Sequence, residues 1–343
     1  MTTHDDDTPT DWRYGARAIN ATDSRRPLAQ DIEEPMIKIV NLSSAVAAAL
    51  IVTAGPVFYL HAQTPDKAWS TFLGTNQPDL LPNRIRIEYE EPHTAELQPV
   101  YELMMRRRPL EKIREIFSPL RLPLELTVKT KECGMSNAWY QRPTITICYE
   151  YLRDLDQTAP KETSPEGITP ADAVVGQCLY TASHEMGHAV FDLLDVPLFG
   201  RPEDDADQFA AYVLIRIGKN DARQLIEGAA YLYKDYAKNP TVTVPVTAFA
   251  DVHGAPMQRL YNLLCLAYGA NNDQFSDVVD NGYLPKSRVP ACKMEWDEVD
   301  FAVHKLIYPY IDQELLNDVL SKSWVPYTPA PPPRMTDLPQ SAR

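Results

Sequence analysis

Residues 169–195 read TPADAVVGQCLYTASHEMGHAVFDLLD. Thr169 is a natural N-cap, Pro170 suits the first helical position, and Asp172 places an acid in the first turn. A helix is predicted from there to about Asp195, ended by Pro197. Inside it lies His184-Glu185-Met186-Gly187-His188, an H-E-x-x-H pattern. Residues four apart on a helix lie about 40° apart around its axis, so His184 and His188 share one face. Two imidazoles so placed can hold one Zn²⁺ at roughly 2.0–2.1 Å. Glu185 is turned by about 100°, which sets its carboxylate beside such an ion, within reach of a water on it.

A second helix is predicted from Pro202 to Gly218. Its first turns carry Glu203-Asp204-Asp205-Ala206-Asp207. Glu203 and Asp207 are again four apart, and Glu203 is the candidate third ligand. Asp207 can accept a hydrogen bond from the free ring N–H of one histidine and fix its tautomer. Asp204 and Asp205 need no site to explain them, because acids in a first turn favour the helix dipole.

The first half of the chain alternates at period two. Arg84–Glu90, Leu124–Val128, Ala138–Tyr140 and Thr144–Tyr149 are strand candidates, the last two joined by a tight turn at Gln141-Arg142-Pro143. A helix fits Leu97–Phe117, with Pro109 interrupting it. Further helices fit residues 221–238, 254–269 and 296–309, and the chain from Trp324 is Pro-rich and reads as extended and unpacked. The expectation is an α+β fold: a small, mostly antiparallel sheet followed by a helical half that carries the H-E-x-x-H helix.

H-E-x-x-H followed by E-x-x-x-D resembles the gluzincin pattern of zinc metallopeptidases, of which thermolysin is the familiar member. The metzincin pattern is excluded, since Phe191 and Leu194 stand where it needs Gly and His. The stretch HEMGHAVFDLLDVPLFGRPEDDADQFAAYVL, with ECGMSNAWY and TICYEYL, is also similar to a bacterial family of metallopeptidase domains of unknown function, over roughly residues 85–310. The resemblance implies a zincin-like domain over residues 63–320 with one zinc per chain. It implies Glu185 as general base. It further implies that Asn137 and Ala138 lie on an edge strand that binds substrate backbone. His253, in Asp251-Val252-His253, would stabilise the tetrahedral intermediate. His304 reads as structural.

The net charge of −14 repels nucleic acid and anionic lipid headgroups, so neither is an expected partner. Arg106-Arg107-Arg108 is too short a run to change that. The five cysteines form no C-x-x-C pair. Their spacing suggests local bridges Cys133–Cys148 and Cys265–Cys292, with Cys178 left free. Bridges need an oxidising compartment. Residues 1–35 read as disordered or as a mis-assigned extension ahead of a true start at Met36. Residues 36–62 follow as a signal peptide or signal anchor, with an uncharged run at residues 39–60. A membrane contact is expected only through that run if it stays uncleaved. Residues 321–343 form the expected Pro-rich tail.

Together these readings predict an exported zinc-dependent hydrolase that cleaves peptide bonds in peptide or protein substrates. The alternative is an exported zincin-fold binding module with little or no peptidase activity, though such a module would have no need of Glu185.

Overall fold

The structure, a computed structural model, describes residues 79–164, 167–218, 221–233 and 246–325. The expected extension (1–35), signal or anchor segment (36–62) and all of the Pro-rich tail beyond residue 325 lie outside the described residues. Among the described residues no helix is long and apolar enough to cross a membrane.

The alternating segment Arg84–Glu90 forms strand β1 (Ile85–Tyr89), whose Ile85 side chain enters the core. The chain then runs through helices α1 (Gln98–Arg107) and α2 (Pro109–Phe117). Pro109 divides the helix predicted over Leu97–Phe117, and Arg108 turns the chain between the two parts at φ 51°. Strands β2 (Leu126–Lys131), β3 (Ala138–Gln141) and β4 (Thr144–Cys148) complete a four-stranded sheet in the order β1-β2-β4-β3.

The sheet is mixed rather than mostly antiparallel. β1 runs parallel to β2, with Ile87 opposite Val128, and β2 runs parallel to β4, with Val128 opposite Ile145. Only β3 and β4 are antiparallel, with Tyr140 opposite Ile145. The expectation failed because period-two alternation is the same in both ladders. Direction is set by the connections. The α1–α2 crossover brings β2 back parallel to β1, while the short Arg142-Pro143 turn can only reverse the chain. The result leaves β3 at the edge, paired on one side by β4.

Helix α3 (Tyr149–Thr158) follows β4 directly. Helix α4 (Pro170–Leu193) starts as predicted. The Asp172 N–H donates to Thr169 Oγ1 at 3.1 Å, and the Thr169 N–H donates to Asp172 Oδ2 at 2.9 Å, a reciprocal capping box. Helices α5 (Pro202–Gly218) and α6 (Ala222–Ala230) pack on α4. The α4–α6 approach is close enough to require glycine: a Cβ on Gly228 would lie 2.3 Å from the Asp172 carbonyl oxygen. α7 (Pro256–Ala270) and α8 (Val289–Leu306) complete this half, with α9 (Gln313–Ser321) at its end. α8 starts seven residues before the expected position because Pro290 opens it.

One expectation at the C-terminal end is corrected. Trp324 is buried at 5% exposure, its Nε1–H donates to the Val319 carbonyl at 3.2 Å, and its backbone N–H donates to Asp221 at 2.9 Å. The large indole surface outweighs the Pro-rich composition around it, so the chain is packed through this residue.

Both disulfides form between the expected partners. Cys133–Cys148 ties the β2–β3 loop to the end of β4, with Cα atoms 5.6 Å apart. The buried Glu150 carboxylate braces the same loop by accepting from the Gly134 N–H at 2.6 Å. Cys265–Cys292 clamps α7 to α8 at a Cα separation of 4.9 Å. Cys178 is free, and burial pushes its thiol up to about 11. The bridges close separations of 15 and 27 residues. Removing them by paired Cys→Ser substitution should cost about 3 and about 3.5 kcal/mol in the loop-entropy account. Denaturant melts of the two variants measure this, and peptide mapping without reductant should find Cys178 as the free thiol.

Candidate metal centre

The apolar flanks of the H-E-x-x-H segment drive α4 into the core. Met186, Ala189 and Val190 are fully buried, which fixes the helix and leaves His184 and His188 on the face toward α5. Gly187 allows the close approach: a Cβ there would meet Phe209 and the Ala206 backbone at 3.2 and 3.3 Å. Glu203 stands in the first turn of α5 and Asp207 one turn later.

Three atoms converge between the helices. His184 Nε2 and His188 Nε2 are 3.2 Å apart, and Glu203 Oε2 lies 3.0 Å from the first and 3.3 Å from the second. Ligands at roughly 2.0–2.1 Å around a tetrahedral ion are separated by about 3.3–3.4 Å. The triangle therefore fits one small divalent ion at its apex. Among the described residues the other group with metal-ligand chemistry is Cys133, Cys148 and Glu150, and its sulfurs are bonded to each other.

The surrounding charges order this triangle. Burial alone would lower the His184 pKa, but hydrogen bonds to Asp207 and Glu203 raise it to about 9. The Nδ1 of His184 sits 2.8 Å from Asp207 Oδ1. Glu203 is lowered to about 2, chiefly by its hydrogen bond with His184. His188 is lowered by burial and by the nearby charge of His184. Burial would raise Asp207, yet hydrogen bonds from His184 and Arg259 hold it well below the usual carboxylate range. Glu185 is buried at 7% exposure, and that burial raises it to about 7 against the opposing charge of His184.

A cleft of about 580 Å³ opens over these groups. Its lining includes Asn137, Ala138 and Tyr140 from β3 and the loop before it, Glu185 and His188 from α4, Glu203 from α5, and His253. All the non-cysteine residues singled out in the sequence for a site thus come to one place, with Asp207 behind His184. His253 arrives on the segment before α7. Its Nε2 lies 2.9 Å from Glu203 Oε2, and Asp251 Oδ1 accepts its backbone N–H at 2.9 Å. His304 is elsewhere, on the α8 surface, with Nδ1 2.8 Å from the Asp300 carbonyl.

A family model described as "Putative metallopeptidase" matches residues 89–307. The chain belongs to that family. The matched span runs from the end of β1 through α8, so it contains every residue of the cleft. A metallopeptidase family implies a metal and peptide or protein substrates, and the His184, His188 and Glu203 group supplies candidate ligands. No curated protein and no solved structure matches the chain significantly.

Sequence reasoning missed Arg259, Tyr140 and Asp192. Arg259 is the one charged residue in PMQRLYNLLCLAYGA, the 15 residues of α7, and that isolation was a usable signal. Tyr140 donates its hydroxyl proton to Asp192 at 2.6 Å, joining β3 to the end of α4. Nothing in their local sequence marks this pair.

Proposed function

We propose that this family member is a zinc peptidase of gluzincin type on a zincin-like fold, with His184, His188 and Glu203 as ligands and Glu185 as general base. The observation that carries the reading is the 3.0–3.3 Å triangle with the Glu185 carboxylate beside it. Two imidazole nitrogens and one carboxylate oxygen are a donor set suited to zinc. When bound, zinc polarises the scissile carbonyl and acidifies water to near neutrality. Glu185 accepts a proton from the attacking water and returns it to the leaving nitrogen. Asp207 Oδ1 accepts from the Nδ1–H of His184, so the proton that metal binding would displace is the one on Nε2, the atom in the triangle.

Substrate backbone pairs with the edge strand β3 beside Asn137 and Ala138, so the peptide enters extended, as an added strand. His253, oriented by Asp251, is the proposed donor to the developing oxyanion. Export of the protein is part of the same proposal, since two disulfides suit an oxidising compartment.

Elemental analysis of protein purified without added metal should find one zinc per chain. A mixed peptide library should be cleaved by that protein, and not after chelator treatment. A metal-free protein, or cleavage indifferent to chelator, would sink the reading. Asp207→Asn should lower both metal affinity and activity by about 10–100-fold, because it weakens the contact that orients His184. Competition with a chromogenic chelator measures the first effect independently of any substrate.

A further inference from the structure

Behind His184, away from the cleft, Asp207 is gripped by an arginine from a helix that supplies none of the proposed ligands. Arg259 Nε donates to Asp207 Oδ2 at 2.7 Å, and Arg259 Nη2 donates to Asp207 Oδ1 at 2.7 Å. The pair is largely buried, with side-chain exposures of 19% and 12%. Tyr180 and Tyr233, both in the core, border it.

A carboxylate with one partner can rotate. A carboxylate held by both prongs of a guanidinium cannot, because two parallel N–H···O bonds fix its plane. The oxygen that accepts from Arg259 Nη2 is the same Oδ1 that meets His184 Nδ1 at 2.8 Å. The fork therefore fixes where the acceptor for His184 stands, and through it the direction of the imidazole ring. The stem of the same arginine packs on Gly254: a Cβ added there would lie 3.3 Å from Arg259 Cγ. Gly254 directly follows His253, so Arg259 links the segment bearing His253 to the helix bearing Glu203 and Asp207.

We infer that Arg259 is a positioning residue for the metal centre, acting on His184 through Asp207 without touching metal or substrate. The inference rests on the proposed ligand set. Its charge also compensates the buried Asp207 carboxylate, which would otherwise stand with His184 alone. Burial of an uncompensated carboxylate is costly, so a glutamine or methionine here is a different perturbation from a lysine. Lysine keeps the charge and loses the fork, which isolates the geometric contribution.

The test measures metal affinity by chelator competition, and thermal midpoint alongside it, for wild type, Arg259→Lys, Asp207→Asn and the double variant. Arg259→Lys should bind zinc about 10-fold more weakly than wild type while keeping a near-native midpoint. The double variant should bind no more weakly than Asp207→Asn, since the arginine acts through that carboxylate. Should the lysine variant fail to fold, Arg259→Gln, which keeps an N–H donor, is measured in the same way. Wild-type affinity in a folded Arg259 variant overturns the inference and leaves the proposed ligand set intact. So do losses from the two sites that simply multiply. A wild-type protein that takes up no zinc overturns the ligand set and this inference together.

Discussion

Glu185→Gln is expected to cut turnover by roughly 10²–10⁴-fold, the usual worth of a positioned general base. Zinc content and thermal midpoint should stay at wild-type values. The reason lies in where Glu185 stands. It is buried beside the His184–His188–Glu203 triangle without being one of its corners. Glutamine has nearly the same volume, so the packing around the side chain is kept. Only the capacity to take a proton is lost. Peptide cleavage assays with parallel metal analysis separate the two effects. A fully active, zinc-loaded Gln variant would rule Glu185 out as base. A wild-type protein that binds zinc and cleaves nothing would favour the binding-module alternative.

His184→Ala combined with His188→Ala should abolish stoichiometric zinc and all chelator-sensitive cleavage. Two of three corners of the triangle disappear, and a lone carboxylate does not hold zinc against solvent. The fold should persist. Both histidines border the candidate centre, and the core contacts of α4 come from Met186, Ala189 and Val190 on its other faces. Elemental analysis checks the metal, and circular dichroism checks the fold. Full zinc retention by the double variant would remove these histidines from the ligand set.

Much of the centre was legible because it is locally encoded. The i,i+4 spacing of His184 and His188, and of Glu203 and Asp207, fixes which side chains share a face once each segment is helical. The Thr169-Pro170-Asp172 cap and the Pro202 start make those helices recognisable. The two disulfides were readable for a related reason, since short separations leave few pairings that are sterically easy. Trp324 escapes a reading by composition, because the prolines around it outnumber the one residue with enough apolar surface to dock.

The sequence by itself determined the α+β composition, the H-E-x-x-H helix, the acidic helix after it and which side chains of those two helices share a face. These follow from hydrogen-bond periodicity and capping, which act over a few residues. Tertiary structure alone decided that two of the three strand pairings are parallel, that β3 lies at the sheet edge, and that His253 meets Glu203. It also decided that Arg259 grips Asp207 across 52 residues of chain. Such contacts depend on which apolar faces bury one another, and no periodicity within a segment records where its distant partner will stand.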